Sequence, residues 1–386
     1  MALSKGRVLL NRMPRQKLLI FELRQLGDAV QSLPFVRGAM EIYDVFVCCQ
    51  PGTAMLYEMV VPANRLIRWS PPWGRETGKY RLRAWDWAGL VRVVKEIRAL
   101  RCDAVAGVWA DTRDHLLMAL SGASARIGFP MNAQNYYGHE RAWRRRQLRI
   151  GRVLAVVLSV LLCRRLINRP LQRADYLQNH LADWRQLADA LQIPWRSETP
   201  WLPIPDVKTQ PTLIALQQAK AARQRPAWLI HPGARMPNRR WPVEKFAHVI
   251  REVFAAGGIP YLVIEPAECA APAATDPHGF TMKTASLAEL LAALAAVDCV
   301  LCNDTGVSHL AAAMGCTVVT LFSANRPSWF APFNNAQWVV KHDVCPYRPC
   351  IDRCQMPSFI CLEAISPEAV CRRVLQVFGT ATTPSP

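Results

Sequence analysis

A chain of 386 residues has room for two domains, and 51% hydrophobic against 20% charged residues supplies enough apolar surface for packed cores, which excludes an intrinsically disordered chain. The formal net charge of +18 is concentrated, because residues 141–173 hold ten arginines and no acidic residue. A surface of that kind suits anionic partners: nucleic acid, phospholipid headgroups or a phosphorylated acceptor.

The N-terminal stretch "MALSKGRVLLNRMPRQK" is basic but has no uninterrupted apolar segment, so it is not read as a signal peptide. A reducing, cytoplasmic setting is expected for the thirteen cysteines, with Cys48, Cys102 and Cys299 buried among apolar neighbours. "KLLIFEL" (17–23) reads as a buried strand, "RQLGD" as a turn, and a helix is expected from near Asp28. Asp28 follows Gly27 there, either as the helix cap or as a carboxylate directed into a cleft.

"YDVFVCC" (43–49) reads as a second strand, "LVRVVKEIRAL" (90–100) as an amphipathic helix and "CDAVAGV" (102–108) as a third strand. "GRETGK" (74–79) is one residue short of a phosphate-binding P-loop and lacks the hydroxyl residue after Lys79, so it is read as an ordinary loop. The apolar run "VLAVVLSVLLC" (153–163) is eleven residues long, too short to cross a bilayer, which takes roughly 20. With "RAWRRRQLRIGR" before it and Arg164 and Arg165 after it, this segment is either a core helix with solvated flanks or a helix resting on an anionic membrane surface.

"ETPWLPIPDVKTQP" (198–211) contains four prolines and is read as the interdomain linker. Beyond it the alternation resumes with the strand "AWLIHPG" (227–233), a helix at 243–258, a strand at 259–265, a helix at 286–297 and the strand "DCVLCN" (298–303). Alternating strands and helices predict an α/β chain of two domains with parallel sheets facing across a cleft, 1–205 and 206–378, and a frayed tail at 379–386.

Chemistry is expected beyond the carboxyl ends of the strands. In "CNDTGVSHLAAAMG" (302–315), Asp304, Thr305 and Gly306 stand at the start of a helix whose free N–H groups suit phosphate, with His309 one turn further along. Asp304 repels phosphate and suits sugar hydroxyls instead; Asp304 or Thr305 acting merely as a helix cap is the bland alternative. "HPGARMPNRRWP" (231–242) adds a tight turn at Pro232 and Gly233 and the guanidinium groups of Arg235, Arg239 and Arg240.

In this order and placement, "LRQLGDAVQSLP" (23–34), "HPGA…NRRWPVEKFAHVI", "CNDTGVSHLAAAMG…TLFSANRPSWFAPF" and "LRCDAVAGVWADTRDHLLMALSGASARIGF" (100–129) resemble the family 9 glycosyltransferases, the ADP-heptose:lipopolysaccharide heptosyltransferases. The resemblance implies a GT-B fold of two Rossmann-like domains, acceptor on the first and nucleotide-sugar on the second. It implies inversion at the anomeric carbon without a metal or cofactor, and Asp28 matches the catalytic aspartate. The donor-side residues are then His231, Gly233, Arg239, Arg240, Asp304, Thr305, Gly306 and His309, with Arg239 where lysine is usual.

Further implied are ADP-heptose as donor, a phosphorylated lipopolysaccharide core as acceptor, peripheral contact with the inner face of the inner membrane, and no nucleic-acid partner. A glycosyltransferase with another nucleotide-sugar or a protein acceptor is the alternative, and a basic nucleic-acid- or membrane-binding non-enzyme the second. Cys345, Cys350, Cys354 and Cys361 lack paired C-x2-C spacing and are read as a zinc site, as reduced thiols or as disulfides.

Overall fold

The first strand, β1 (Lys17–Glu22), is buried from Leu18 to its end, as an unbroken apolar run must be when both faces of a parallel sheet are covered. The computed structural model describes residues 15–74, 81–130, 161, 165–173, 179–204, 211–223, 225–264, 281–283, 286–348, 350 and 354–381. After β1 come α1 (Leu26–Ile42), β2 (Asp44–Cys49), β3 (Leu66–Arg68), α2 (Trp87–Ala99), β4 (Ala104–Gly107), α3 (Thr112–Leu120), β5 (Ala125–Gly128), β6 (Arg169–Pro170) and α4 (His180–Ala190). The six strands form one parallel sheet in the order β3-β2-β1-β4-β5-β6, and α4 packs back onto α1.

The second half repeats the plan with α5 (Pro211–Arg223), β7 (Ala227–His231), α6 (Val243–Ala255), β8 (Ile259–Ile264), β9 (Thr281–Lys283), α7 (Leu287–Ala296), β10 (Cys299–Asn303), α8 (Gly306–Ala313), β11 (Thr317–Phe322), β12 (Val339–Lys341) and α9 (Pro367–Ala381). Its sheet order is β12-β11-β10-β7-β8-β9, again parallel. Counted from each half's first strand, both sheets have the doubly wound order 3-2-1-4-5-6. The expected pair of α/β domains is therefore present, and α9 takes in Gly379, Thr380 and Ala381, which the sequence assigned to the frayed tail.

Two helices join the halves by their first turns. A Cβ on Gly306 would lie 2.9 Å from Leu26, and one on Gly27 would lie 2.8 Å from the His309 ring, so each glycine is the hollow into which the facing side chain fits. Further along α1, a Cβ on Gly38 would come within 1.7 Å of the Pro194 carbonyl oxygen, which lets the chain after α4 lie directly on α1. The largest apolar cluster runs through this seam, from Leu33 and Phe35 of α1 to Leu310 of α8.

Residues 198–204 of the proline-rich stretch are docked rather than loose: Trp201 is 2% exposed and its N–H donates to the Ala313 carbonyl at 2.8 Å, while residues 205–210 lie outside the described residues. No helix among the described residues is long and apolar enough to cross a membrane. Residues 141–160 and 162–164 of the basic and apolar segment, and residues 75–79 of the P-loop-like stretch, lie outside the described residues.

Candidate active site

In a doubly wound sheet the crevice opens where strand order reverses, between β1 and β4 in the first sheet and between β7 and β10 in the second. The sequence-selected site residues leave the ends of these strands. Asp28 follows β1, His231 closes β7 and is followed by the arginine loop, and Asp304 through His309 follow β10.

On the first sheet, α1 begins at Leu26, so Gln25 takes the cap position and Asp28 sits in the first turn, accepting the Gln25 N–H at 3.2 Å. Although the residue is only partly buried by surface, its carboxyl is deep enough for desolvation to raise its pKa. His180, the Gln25 N–H, Arg24 and Arg239 oppose that rise without cancelling it. A carboxylate made more basic in this way is a better proton acceptor.

Glu22, at the end of β1, is fully buried. One oxygen accepts the Arg24 N–H at 2.9 Å and the other the Trp109 indole N–H at 3.2 Å. Burial, followed by the charge of Asp28, pushes its pKa up to about 8, so at neutral pH it is mostly a neutral acid beside Asp28. The Arg24 guanidinium is anchored on Asp114 at 2.8 Å and Asp111 at 3.2 Å and lies over the Trp109 ring, 5.0 Å from its centroid. Burial tends to raise Asp111, but Arg113 and Arg24 prevail and hold it at about 2.

His180 is stacked between Trp109 at 4.4 Å and Phe330 of the second half at 5.3 Å, and its charged form would act on both Asp28 and His309.

On the second sheet, fully buried Asn303 ties the two loops together. It accepts the Trp241 N–H at 3.1 Å and donates to the carbonyls of Pro232 at 2.8 Å and Gly233 at 3.3 Å. Asp304 is 2% exposed, with its carboxylate accepting the Asn325 amide at 3.0 Å and standing 3.8 Å from Arg239 Nη1. Arg239 also donates to the Asp304 carbonyl at 3.3 Å, so the aspartate lies beneath the arginine rather than open to a sugar, and positions it. Burial raises the Asp304 pKa against the opposing charge of Arg239.

Thr305 occupies the cap position of α8 but makes no side-chain cap bond, and its buried Oγ1 has no partner. The first turn of α8 is thus left without a side-chain cap, the condition in which helix N–H groups accept an anion. Arg239 Nε and both amide atoms of Asn238, a residue only 6% exposed, are likewise buried without partners.

His309 is 7% exposed and approaches Gln31 at 3.5 Å. Burial, then Arg239 and His180, lower its pKa to about 4, so the ring is neutral at ordinary pH. Arg240 is turned inward, bonding the carbonyls of Ala234 and Arg235 and bracing the loop. His231 lies beneath the turn, where a Cβ on Gly233 would sit 2.9 Å from its ring. Gly306 faces Leu26, so its lack of a side chain serves the seam between the halves.

Residues 162–357 match the family model described as glycosyltransferase family 9 (heptosyltransferase), more than half of the chain. The chain belongs to glycosyltransferase family 9. The match takes in every residue expected on the donor side of this glycosyltransferase and leaves Asp28 outside. Across 84% of both chains it is 24% identical to the lipopolysaccharide core heptosyltransferase OpsX of Haemophilus influenzae.

Among solved structures, the family 9 glycosyltransferase of Veillonella parvula superposes with a TM-score of 0.65 at 16% identity, covering 95% of this chain and 98% of that one. E. coli heptosyltransferase WaaC with ADP gives 0.59 at 18%, covering 94% and 99%, and E. coli ADP-heptose lps heptosyltransferase II 0.56 at 15%, covering 95% and 100%. These establish the GT-B architecture for this glycosyltransferase.

Glu22, His180, Asn325 and Asn238 were not singled out in the sequence of this family 9 enzyme, and Asn303, a polar member of the 302–315 stretch, was given no role. Asn303 stands next to Asp304 and Asn238 next to Arg239, so proximity to a motif was their only signal; Glu22 is a charged residue closing an apolar strand, which is a signal of its own. Cys48, Cys102 and Cys299 are buried as expected. Cys345, Cys350, Cys354 and Cys361 are not disulfide-linked, and among the described residues no three metal-ligating side chains are placed to hold an ion.

Proposed function

We propose that this glycosyltransferase moves a heptose from ADP-heptose to the inner-core oligosaccharide of lipopolysaccharide, with inversion, with Asp28 as general base and without a metal. The observation that carries the reading is the meeting of two elements in one seam: a basic carboxylate on the first sheet, and Arg239 with the uncapped turn of α8 on the second. The OpsX, WaaC and heptosyltransferase II relatives supply the choice of heptose and of lipopolysaccharide.

An acceptor hydroxyl oxygen attacks the anomeric carbon as the bond from that carbon to the diphosphate oxygen breaks, and Asp28 takes the hydroxyl proton as the attacking oxygen becomes acidic. Charge builds on the leaving diphosphate. Arg239 and the first-turn N–H groups of α8 meet it, with Thr305 Oγ1 as an added donor, so no cation is called for. Asp304 holds Arg239 in place from below, and neutral His309 adds no competing charge. The enzyme acts at the cytoplasmic face of the inner membrane, where its acceptor is displayed.

The test is Asp28→Asn, assayed with ADP-heptose and a lipopolysaccharide-core acceptor. Transfer is expected to fall by roughly 10²–10⁴-fold, while the thermal shift produced by ADP-heptose is retained. A variant as fast as the parent sinks the mechanism, and a thermal-shift screen in which another nucleotide-sugar stabilises the enzyme better sinks the donor assignment.

A further inference from the structure

We infer that the outer face of α2, with the short helical turn Leu82–Ala84 before it, is a docking surface for an anionic lipid bilayer. Leu82, Trp87 and Val91 are 58%, 50% and 53% exposed, which is unusual for three large apolar residues in one place. The Trp87 indole donates to the Leu82 carbonyl at 3.0 Å, joining the turn to the helix. Val91 lies one helical turn from Trp87, on the same face. A shallow, open groove of about 550 Å³ is lined by Trp87, Ala88, Val91, Arg92 and Lys95.

Arg81, Arg83, Arg92 and Lys95 are exposed around this apolar strip, and none forms an ion pair with another described residue. Of the two acids among the described residues 81–99, Asp86 is occupied in capping α2 through the Gly89 N–H at 2.8 Å, which leaves Glu96. An apolar strip with an aromatic ring and a basic margin is the pattern of a helix lying in a headgroup layer. The cations meet anionic lipid while the strip enters the acyl boundary. A nucleic acid would use the cations but leave Leu82 and Val91 unburied. A second copy packed on this face about a two-fold axis would set the basic margin against itself.

Position gives the surface a purpose, which rests on the acceptor proposed above being carried on a lipid. The Trp87 ring packs at a tilt against Trp85 at 5.3 Å and Trp85 against Trp73 at 5.4 Å, and the Trp73 indole donates to Asp114, the anchor of Arg24. Trp73 follows β3, two strands from β1 and so about 10 Å across the sheet from the strand that leads to Asp28. The bilayer contact and the base therefore lie along the same carboxyl edge, and a saccharide rising from the membrane reaches the cleft from that side.

The full chain is mixed with vesicles of phosphatidylcholine containing about 30% phosphatidylglycerol, or of phosphatidylcholine alone, and sedimented. The parent is expected to partition onto the anionic vesicles, and a Leu82→Ser/Trp87→Ala/Val91→Ser variant to lose at least about tenfold in partition. That variant should keep the parent's thermal shift with ADP, which shows that it is folded. Brominated lipid should quench a component of the tryptophan emission that is missing in Trp87→Phe.

Unchanged partition of the triple variant overturns the inference. So does binding that survives it but is lost with Arg144, Arg145 and Arg146 all changed to Glu, a parent that stays in the supernatant, or a parent dimer that the triple variant dissociates. None of these readouts depends on sugar transfer, so an Asp28→Asn variant of undiminished activity would refute the proposed reaction and leave them standing.

Discussion

Glu22 and His309 give the site two opposite sensitivities to pH. The folded-state pKa of Glu22 is raised from 4.5 to about 8, so the folded protein binds a proton there that the unfolded chain releases. Stability associated with neutral Glu22 is complete below about pH 4.5 and is lost as pH rises through 8. Glu22→Gln removes the penalty of ionisation, although an amide can accept only one of the two N–H groups now bonded. Urea unfolding at pH 8.5 is expected to show the variant more stable than the parent by on the order of 2 kcal/mol, and no more stable at pH 4.5.

For His309 the sign reverses, because its pKa is lowered from 6.5 to about 4. The unfolded chain takes up the proton first, so stability falls as pH drops from about 6.5 toward 4. His309→Asn is expected to flatten that acid limb, read as the urea midpoint against pH.

At the scale of elements, α1 and α8 approach closely because glycines stand at their contact points. Gly27→Ala presses a methyl group against the His309 ring, and Gly306→Ala presses one against Leu26 as far in as its backbone-fixed Cβ. Each is expected to cost about 1–3 kcal/mol in urea unfolding. Gly38→Ala should cost more than either, because the group in its way is the Pro194 backbone carbonyl. Gly52→Ala, with nothing within 4 Å of the new methyl, is the control and should change stability by less than about 0.5 kcal/mol.

The elements themselves were legible where periodicity was strong, as in β1, β7, β10 and α6, because a run buried on both faces or a helix with one apolar stripe states its environment locally. Their ends were less so. A helix expected from near Asp28 starts at Leu26, which puts Asp28 inside the first turn instead of at the cap; α2 starts at Trp87, and its exposed face gives no hint in the sequence of which side is left uncovered.

Across the whole molecule, the two sheets share one apolar cluster through the seam, so ligand binding there should be felt by both halves. ADP at about 100 times its Kd is expected to add about 2.7 kcal/mol to unfolding stability. Arg239→Ala should remove most of this shift at the same ADP concentration, since it deletes the guanidinium and leaves Asp304 buried without its partner. An Arg239→Ala variant stabilised as fully as the parent would take the diphosphate away from this loop.

The sequence by itself determined the alternation of strands and helices, the two-domain plan and the short list of loops at strand ends, because each depends on neighbours a few residues apart. Tertiary structure alone decided which polar groups work together. Asp304 faces Arg239 and Asn325 rather than open space, Glu22 is neutral because burial and the charge of Asp28 outweigh the opposing Arg24 and Trp109, and Gly306 serves the seam with Leu26. Charge state and orientation are set by burial and by partners that, apart from Arg24 and Asp28 beside Glu22, lie tens to hundreds of residues away, distances that no local pattern encodes.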